Sequence, residues 1–121
     1  MELEKLDGEF TVCKVASFRD IDCDTDFCFT ARTDHEISLV CPTDRVPAYT
    51  AAREDGWRGI RVKDPLDFAL TGILAGLSGV LAGHEIAVFA VSTFDTDYLF
   101  VKKESFVKAI AVLMEAGYTF L

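Results

Sequence analysis

From residue 57 onward the hydrophobic period switches repeatedly between two and about 3.6, and the order of those switches leaves few folds open. Residues 57–62 (WRGIRV) alternate as a strand. Asp64 and Pro65 then open a helix, since a proline at a helix start removes an N–H that has no partner there. Leu70, Ile73, Leu74, Leu77 and Leu81 make the apolar stripe of that helix, and Gly83 ends it. Residues 85–92 (EIAVFAVS) read as a strand buried on both faces, 94–97 as a turn and 98–102 as the returning strand. A second helix follows with Phe106, Ile110, Leu113 and Met114 inward, stopped by Gly117, and residues 118–121 form a last strand. The sequence therefore predicts β-α-β-β-α-β, the split βαβ of α+β, ferredoxin-like folds.

The front half reads as a reduced copy. Residues 10–16 alternate as a strand, an aspartate-rich loop covers 19–26, and residues 27–33 and 36–41 pair through a turn at Thr33, Asp34 and His35. Pro42 ends the third strand, Thr43 caps a short helix over 46–53, and Asp55-Gly56 stops it. ISLVCPTDRV echoes DYLFVKKESF, which points to a degenerate duplication. We divide the chain into residues 1–56, a degenerate unit, and residues 57–121, a complete one, with the strand 57–62 able to serve either.

Composition removes several classes of function. Twenty acidic against twelve basic residues give a net charge of −8. A phosphate backbone or an anionic bilayer repels that charge, so neither nucleic acid nor membrane is an expected partner. The apolar run 68–82 is too short and glycine-rich to span a bilayer, and MELEKLDGEF has no signal-peptide pattern. The four cysteines, Cys13, Cys23, Cys28 and Cys41, form no CxxC pair and read as reduced thiols of a cytoplasmic protein.

No nucleophile, base or cofactor motif surrounds His35 or His84, so no catalysis and no cofactor are expected. The aspartates at 20, 22, 24 and 26 alternate as in a calcium loop but lack its glycine and distal glutamate, so no metal site is expected. Two features remain. Gly72, Gly76, Gly79 and Gly83 share one helix face, and each interior glycine costs about 1 kcal/mol relative to alanine. Close packing against another helix or chain offsets that at Gly76, Gly79 and Gly83. Gly72, read in the first turn, leaves helix N–H groups open to a carboxylate. The other feature is VSTFDTDY, which gathers hydroxyls and carboxylates on one turn.

The run DGWRGIRVKDPLDFALTGILAGLSGVLAGHEIAVFAVSTFDTDYLFVKKESFVKAIAVLMEAGYTF, with EFTVCKVASF and HEISLVCPTDRVP upstream, resembles the bacterial ACT-domain proteins related to the cytosolic arginine sensors of animals. The resemblance implies a tandem of two ACT-like units, regulatory binding of an amino acid where such units meet, and no catalytic activity. By resemblance the ligand contributors are Ser38, Val40, Gly72, Ile73, Thr93, Phe94 and Asp97. Asp97 would meet an ammonium or guanidinium, and the Gly72 region a carboxylate. The animal sensors are longer, so their choice of arginine is not implied. A homo-oligomer, specifically a dimer, and a regulated protein partner are expected. Two alternatives stand beside this reading: an interaction or dimerisation module with no small ligand, and a small enzyme on a ferredoxin-like scaffold.

Overall fold

The alternation Glu2-Leu3-Glu4-Lys5 forms a strand, β1 (Glu2–Lys5). Leu3 turns inward and is fully buried, while Glu4 and Glu2 turn outward to Arg61 (3.1 Å) and Lys63 (3.3 Å). The computed structural model describes residues 1–63 and 71–121, and these fall into two units, Gly8–Trp57 and Met1–Asp7 with Arg58–Leu121.

The Gly8–Trp57 unit holds β2 (Phe10–Val15), β3 (Phe29–Arg32), β4 (Ile37–Pro42) and the first half of β5 (Ala52–Val62). Its strand order is β3-β4-β2-β5, antiparallel throughout. Cys13, Val15, Leu39 and Cys41 form its core, with Ile21, Cys28, Ile37 and Val46 against them. The helix predicted over 46–53 is absent. A single 3-10 turn spans Thr43–Arg45, and Val46 is extended at φ −65°, ψ 133°. Pro47 is the cause: its ring excludes the residue before it from helical geometry.

Asp55-Gly56 is no helix stop either. It lies inside β5 as a bulge, where the register with β2 slips between Phe10 and Val12. Gly56 carries φ +83°, which a side chain would oppose. Opposite the bulge the fully buried Thr11 donates to Asp55 (2.5 Å) and accepts from Thr43 (3.0 Å), and Arg53 donates to the same Asp55 oxygen (2.8 Å).

The other unit runs from the second half of β5 through α1 (Ile73–Gly83), β6 (Val88–Ser92), β7 (Asp97–Lys102), α2 (Phe106–Glu115) and β8 (Thr119–Phe120). This is the predicted β-α-β-β-α-β order. Its sheet reads β6-β7-β5-β1-β8, so β1 is inserted between β5 and β8, antiparallel to the first and parallel to the second. Leu3, Ile60, Val62, Leu77, Leu81, Leu99, Val101, Phe106 and Leu113 share one core under the two helices.

Three expectations need correction here. β6 is not buried on both faces: among the described residues it pairs with β7 alone, and it is half-exposed. Met114 is 54% exposed, because Ala109, Val112 and Leu113 fill the inward face of α2. Gly72 is the N-cap of α1 at φ +77°, not a residue of its first turn. The helix start read at Asp64-Pro65, and Leu70, lie outside the described residues.

Candidate ligand site

The β6–β7 turn is held from both ends. Thr93 N–H donates to the Thr96 carbonyl (2.9 Å), and Thr93 Oγ1 donates to the same oxygen (3.1 Å). Thr96, 7% exposed, sends its hydroxyl to the carbonyl of Val62 at the end of β5 (2.9 Å). That bond satisfies a buried polar group and fixes the turn to the strand that leads on toward α1. Asp97 accepts from the Ser92 hydroxyl across the hairpin (2.7 Å). Its second oxygen therefore needs no further protein partner to keep the carboxylate oriented. Phe94 stands 80% exposed at the tip.

At the start of α1, Gly72 offers no capping side chain and the first turn holds no acidic residue. A helix start carries roughly half a positive charge on its free N–H groups. No atom lies within 4 Å of a Cβ built on Gly72, so the approach from that side is open among the described residues. Ile73, the first helical residue, packs partly against the core and presents its main chain rather than its side chain.

Ser38 and Val40 lie on β4 in the Gly8–Trp57 unit. Val40 is buried, pairs with Val12 and Phe29, and has only its main chain to give. Ser38 donates to the Glu36 carboxylate and lines an open depression of about 420 Å³ with Lys14, Arg53 and Glu54. Of the residues singled out by resemblance, the described structure thus gathers Thr93, Phe94 and Asp97 on one turn. It sets Gly72 and Ile73 at one helix start and Ser38 beside a charged depression.

Sequence reasoning passed over Thr96 as an anchor, and Lys14, Glu36, Arg53 and Glu54 as neighbours of Ser38. Thr96 has no local signal, but Thr93 in the same turn does. Thr33 repeats the role of Thr93 sixty residues earlier, with its N–H on the Glu36 carbonyl (2.9 Å) and its hydroxyl accepting from the His35 and Glu36 N–H groups (3.1 Å each). A threonine four residues before the second strand opens both hairpins. The four neighbours of Ser38 come from two strands and a turn, and no local pattern joins them.

Other candidates resolve into local structure. Asp22 accepts from the Asp24 N–H (3.0 Å) and faces Arg45 (3.5 Å). His35 sits exposed beside Asp34, and the carbonyl of His84 accepts from Lys108 (3.2 Å). Gly76 is closely packed, since a Cβ there would meet the Tyr118 hydroxyl at 3.1 Å. Gly79 and Gly83 meet nothing within 4 Å and border an open groove of about 420 Å³ beside Val112 and Ala116 of α2 and its C-terminal end. No helix among the described residues is long and apolar enough to cross a membrane.

Comparison with known proteins bears on the fold and the family. Residues 52–115 match the family described as "ACT domain". The human cytosolic arginine sensor for mTORC1, subunit 1, is 32% identical over 81 residues, covering 66% of this chain and 24% of the sensor. The chain thus spans about a quarter of the length of the curated relatives it matches. A crystal structure of a protein from Agobacterium tumefaciens superposes with a TM-score of 0.87 at 31% identity, covering 99% of this chain and 91% of that one. Aspartate kinase from Synechocystis shares the fold, with a TM-score of 0.65 at 18% identity over 99% of this chain and 27% of the kinase.

Proposed function

The chain belongs to the ACT-domain family, and from that premise we propose that it is a non-catalytic regulatory protein that binds a free amino acid. One observation supports this reading above the others. Asp97, a carboxylate oriented by Ser92, stands on a turn that Thr96 ties to the end of β5, and from there the chain leads to the uncapped start of α1 at Gly72. A zwitterion leaving water needs both of its charges met, because an unpaired buried charge costs several kcal/mol. Asp97 answers the ammonium. The N–H groups after Gly72 answer the carboxylate without spending a basic side chain. Thr93 and Phe94 flank Asp97 and give the side chain of the ligand a hydroxyl and an aromatic face. Ser38, with Lys14 and Glu36, is a second set of the same chemical kind, whereas Val40, its main chain taken up between β2 and β3, adds no polar group to it.

The relatives support an amino acid as the ligand class: one is a sensor of arginine. Calorimetry of each amino acid against protein freed of co-purified ligand by unfolding and refolding is the test. With the best ligand, Asp97→Asn keeps the shape, removes the charge and is expected to weaken binding by about 1.5–3 kcal/mol. Equal affinity removes Asp97 from the site, and Ser38→Ala then tests the second set.

The open surface at Gly79 and Gly83 favours a second reading alongside the first, self-association through α1. Light scattering is expected to find a dimer, and a large residue at Gly79 to weaken it. A strict monomer at high concentration ends that reading.

A further inference from the structure

All four cysteines belong to the Gly8–Trp57 unit, and two of them touch. Cys28 donates its S–H to the sulfur of Cys23 at 3.1 Å. Cys23 is exposed on the loop between β2 and β3, Cys28 is half-buried against the small core, and Cys13 and Cys41 are buried. Cys28 is held in place by an uncommon backbone. Phe27, just before it, has φ +63°, a conformation rare for a bulky residue, and its ring packs edge-on against Phe10 (6.1 Å). Such an outlier persists only where its surroundings enforce it. A disulfide needs its sulfurs about 2.05 Å apart, so about 1 Å of further approach closes the bond.

We infer that Cys23 and Cys28 are a thiol–disulfide exchange site, in which Cys23 takes up a low-molecular-weight disulfide of the glutathione class and Cys28 resolves it. In the first step the Cys23 thiolate attacks one sulfur of RSSR. The bond Cys23–S–S–R forms, and RS⁻ leaves and takes a proton from water. In the second step Cys28 gives up its proton to solvent and its sulfur attacks that of Cys23. The bond between the two cysteines forms, and the second RS⁻ leaves and is protonated. Two cysteine thiols lose two electrons, and RSSR gains them as two RSH.

The order of attack follows from exposure and from the direction of the hydrogen bond. Cys23 is the sulfur that a solute reaches and the one that accepts the hydrogen bond in the contact. Burial, and then that hydrogen bond, push the Cys28 thiol up to about 12. Resolution is therefore the slow step at neutral pH and quickens as pH rises, because only the thiolate attacks.

The test is incubation of the native protein with glutathione disulfide, followed by intact-mass and peptide analysis. The protein is expected to lose two hydrogens, to fall from four titratable thiols to two, and to yield a peptide linked 23–28. Cys28→Ser is expected to stop at one glutathione adduct on Cys23, and Cys23→Ser to keep its three thiols. Raising the pH is expected to shorten the life of the adduct in the unmodified chain. Four intact thiols in excess glutathione disulfide overturn the inference. So does a stable adduct in the unmodified chain at every pH, or a link that joins Cys13 or Cys41 as often as Cys28.

Discussion

The Gly8–Trp57 unit and the unit completed by Arg58–Leu121 carry the same hairpin sixty residues apart. β4 and β7 match position for position in burial: Leu39, Val40 and Cys41 are buried, and so are Leu99, Phe100 and Val101. Each strand runs into a 3-10 turn, Thr43–Arg45 in one unit and Lys103–Ser105 in the other. After the turn they part. Phe106 continues into a helix with four buried residues, whereas Val46 meets Pro47 and the chain straightens. The loop after β2, rich in aspartate, likewise holds only a 3-10 turn, Phe18–Asp20, where the other unit has α1. The same hairpin thus stands beside two helices in one unit and beside 3-10 turns alone in the other, and the unit without helices has the smaller core.

Truncation of equivalent leucines is the most forceful way to break this comparison. Leu39 and Leu99 are both 1% exposed. Leu99→Ala, inside the large core, is expected to cost about 4–5 kcal/mol, and Leu39→Ala, over a core that can partly collapse, about 2–3. Denaturant unfolding measures both, and equal costs would show that the lack of helices does not weaken the front core.

The bulge network is next. Thr11→Val removes the buried hydroxyl that donates to the half-exposed Asp55 carboxylate and is expected to cost about 1–3 kcal/mol. Amide exchange should localise the loss to the Gly8–Trp57 unit. Loss spread evenly over both units would mean that they unfold together.

The two helix glycines sharpen the comparison from the other side. Gly79→Ala meets open space and is expected to gain about 0.8–1 kcal/mol of helix stability. Gly76→Ala must displace the Tyr118 hydroxyl and is expected to give no gain. Melting temperatures of the two variants decide it.

The last effect is confined to alkaline pH. Burial pushes the Cys41 thiol up to about 11, and burial with the Cys23 contact pushes Cys28 to about 12, from an ordinary 9.0. A raised thiol favours the protonated folded form. Its contribution is whole below pH 9 and is lost as pH climbs from 9 toward 11 and 12. Denaturant midpoints taken over that range should fall more for the Gly8–Trp57 unit than for the other, and Cys41→Ala should flatten the slope.

Periodicity made most of the fold legible. Hydrophobic runs bounded by turns marked five of the strands, β2, β3, β4, β5 and β7, and the stripes through Leu77, Leu81, Phe106 and Leu113 marked both helices. Where the reading failed, a neighbouring residue overrode a local signal. Thr43 and Asp44 suit a helix start, but Pro47 forbids the helix. Asp55-Gly56 has the chemistry of a stop, but Thr11 on another strand makes it a bulge. β1 was hidden because four residues of charge alternating around one leucine mean little until Ile60, Val62 and Phe120 surround it. The site divides in the same way. Asp97 and Gly72 stand out locally, on a polar turn and at a glycine before a helix. Thr96 becomes an anchor only through the Val62 carbonyl, thirty-four residues away.

The insertion of β1 sets an order on synthesis. Leu3 pairs with Val62 on one side and Phe120 on the other. β1 must wait, unpaired on its second edge, until residue 120 has left the ribosome, while everything the Gly8–Trp57 unit needs is translated by residue 57. Nascent chains of this protein are therefore expected to carry a finished middle and an open frame around it, with Leu3 and Leu6 the apolar surface most exposed to holding chaperones until the frame closes.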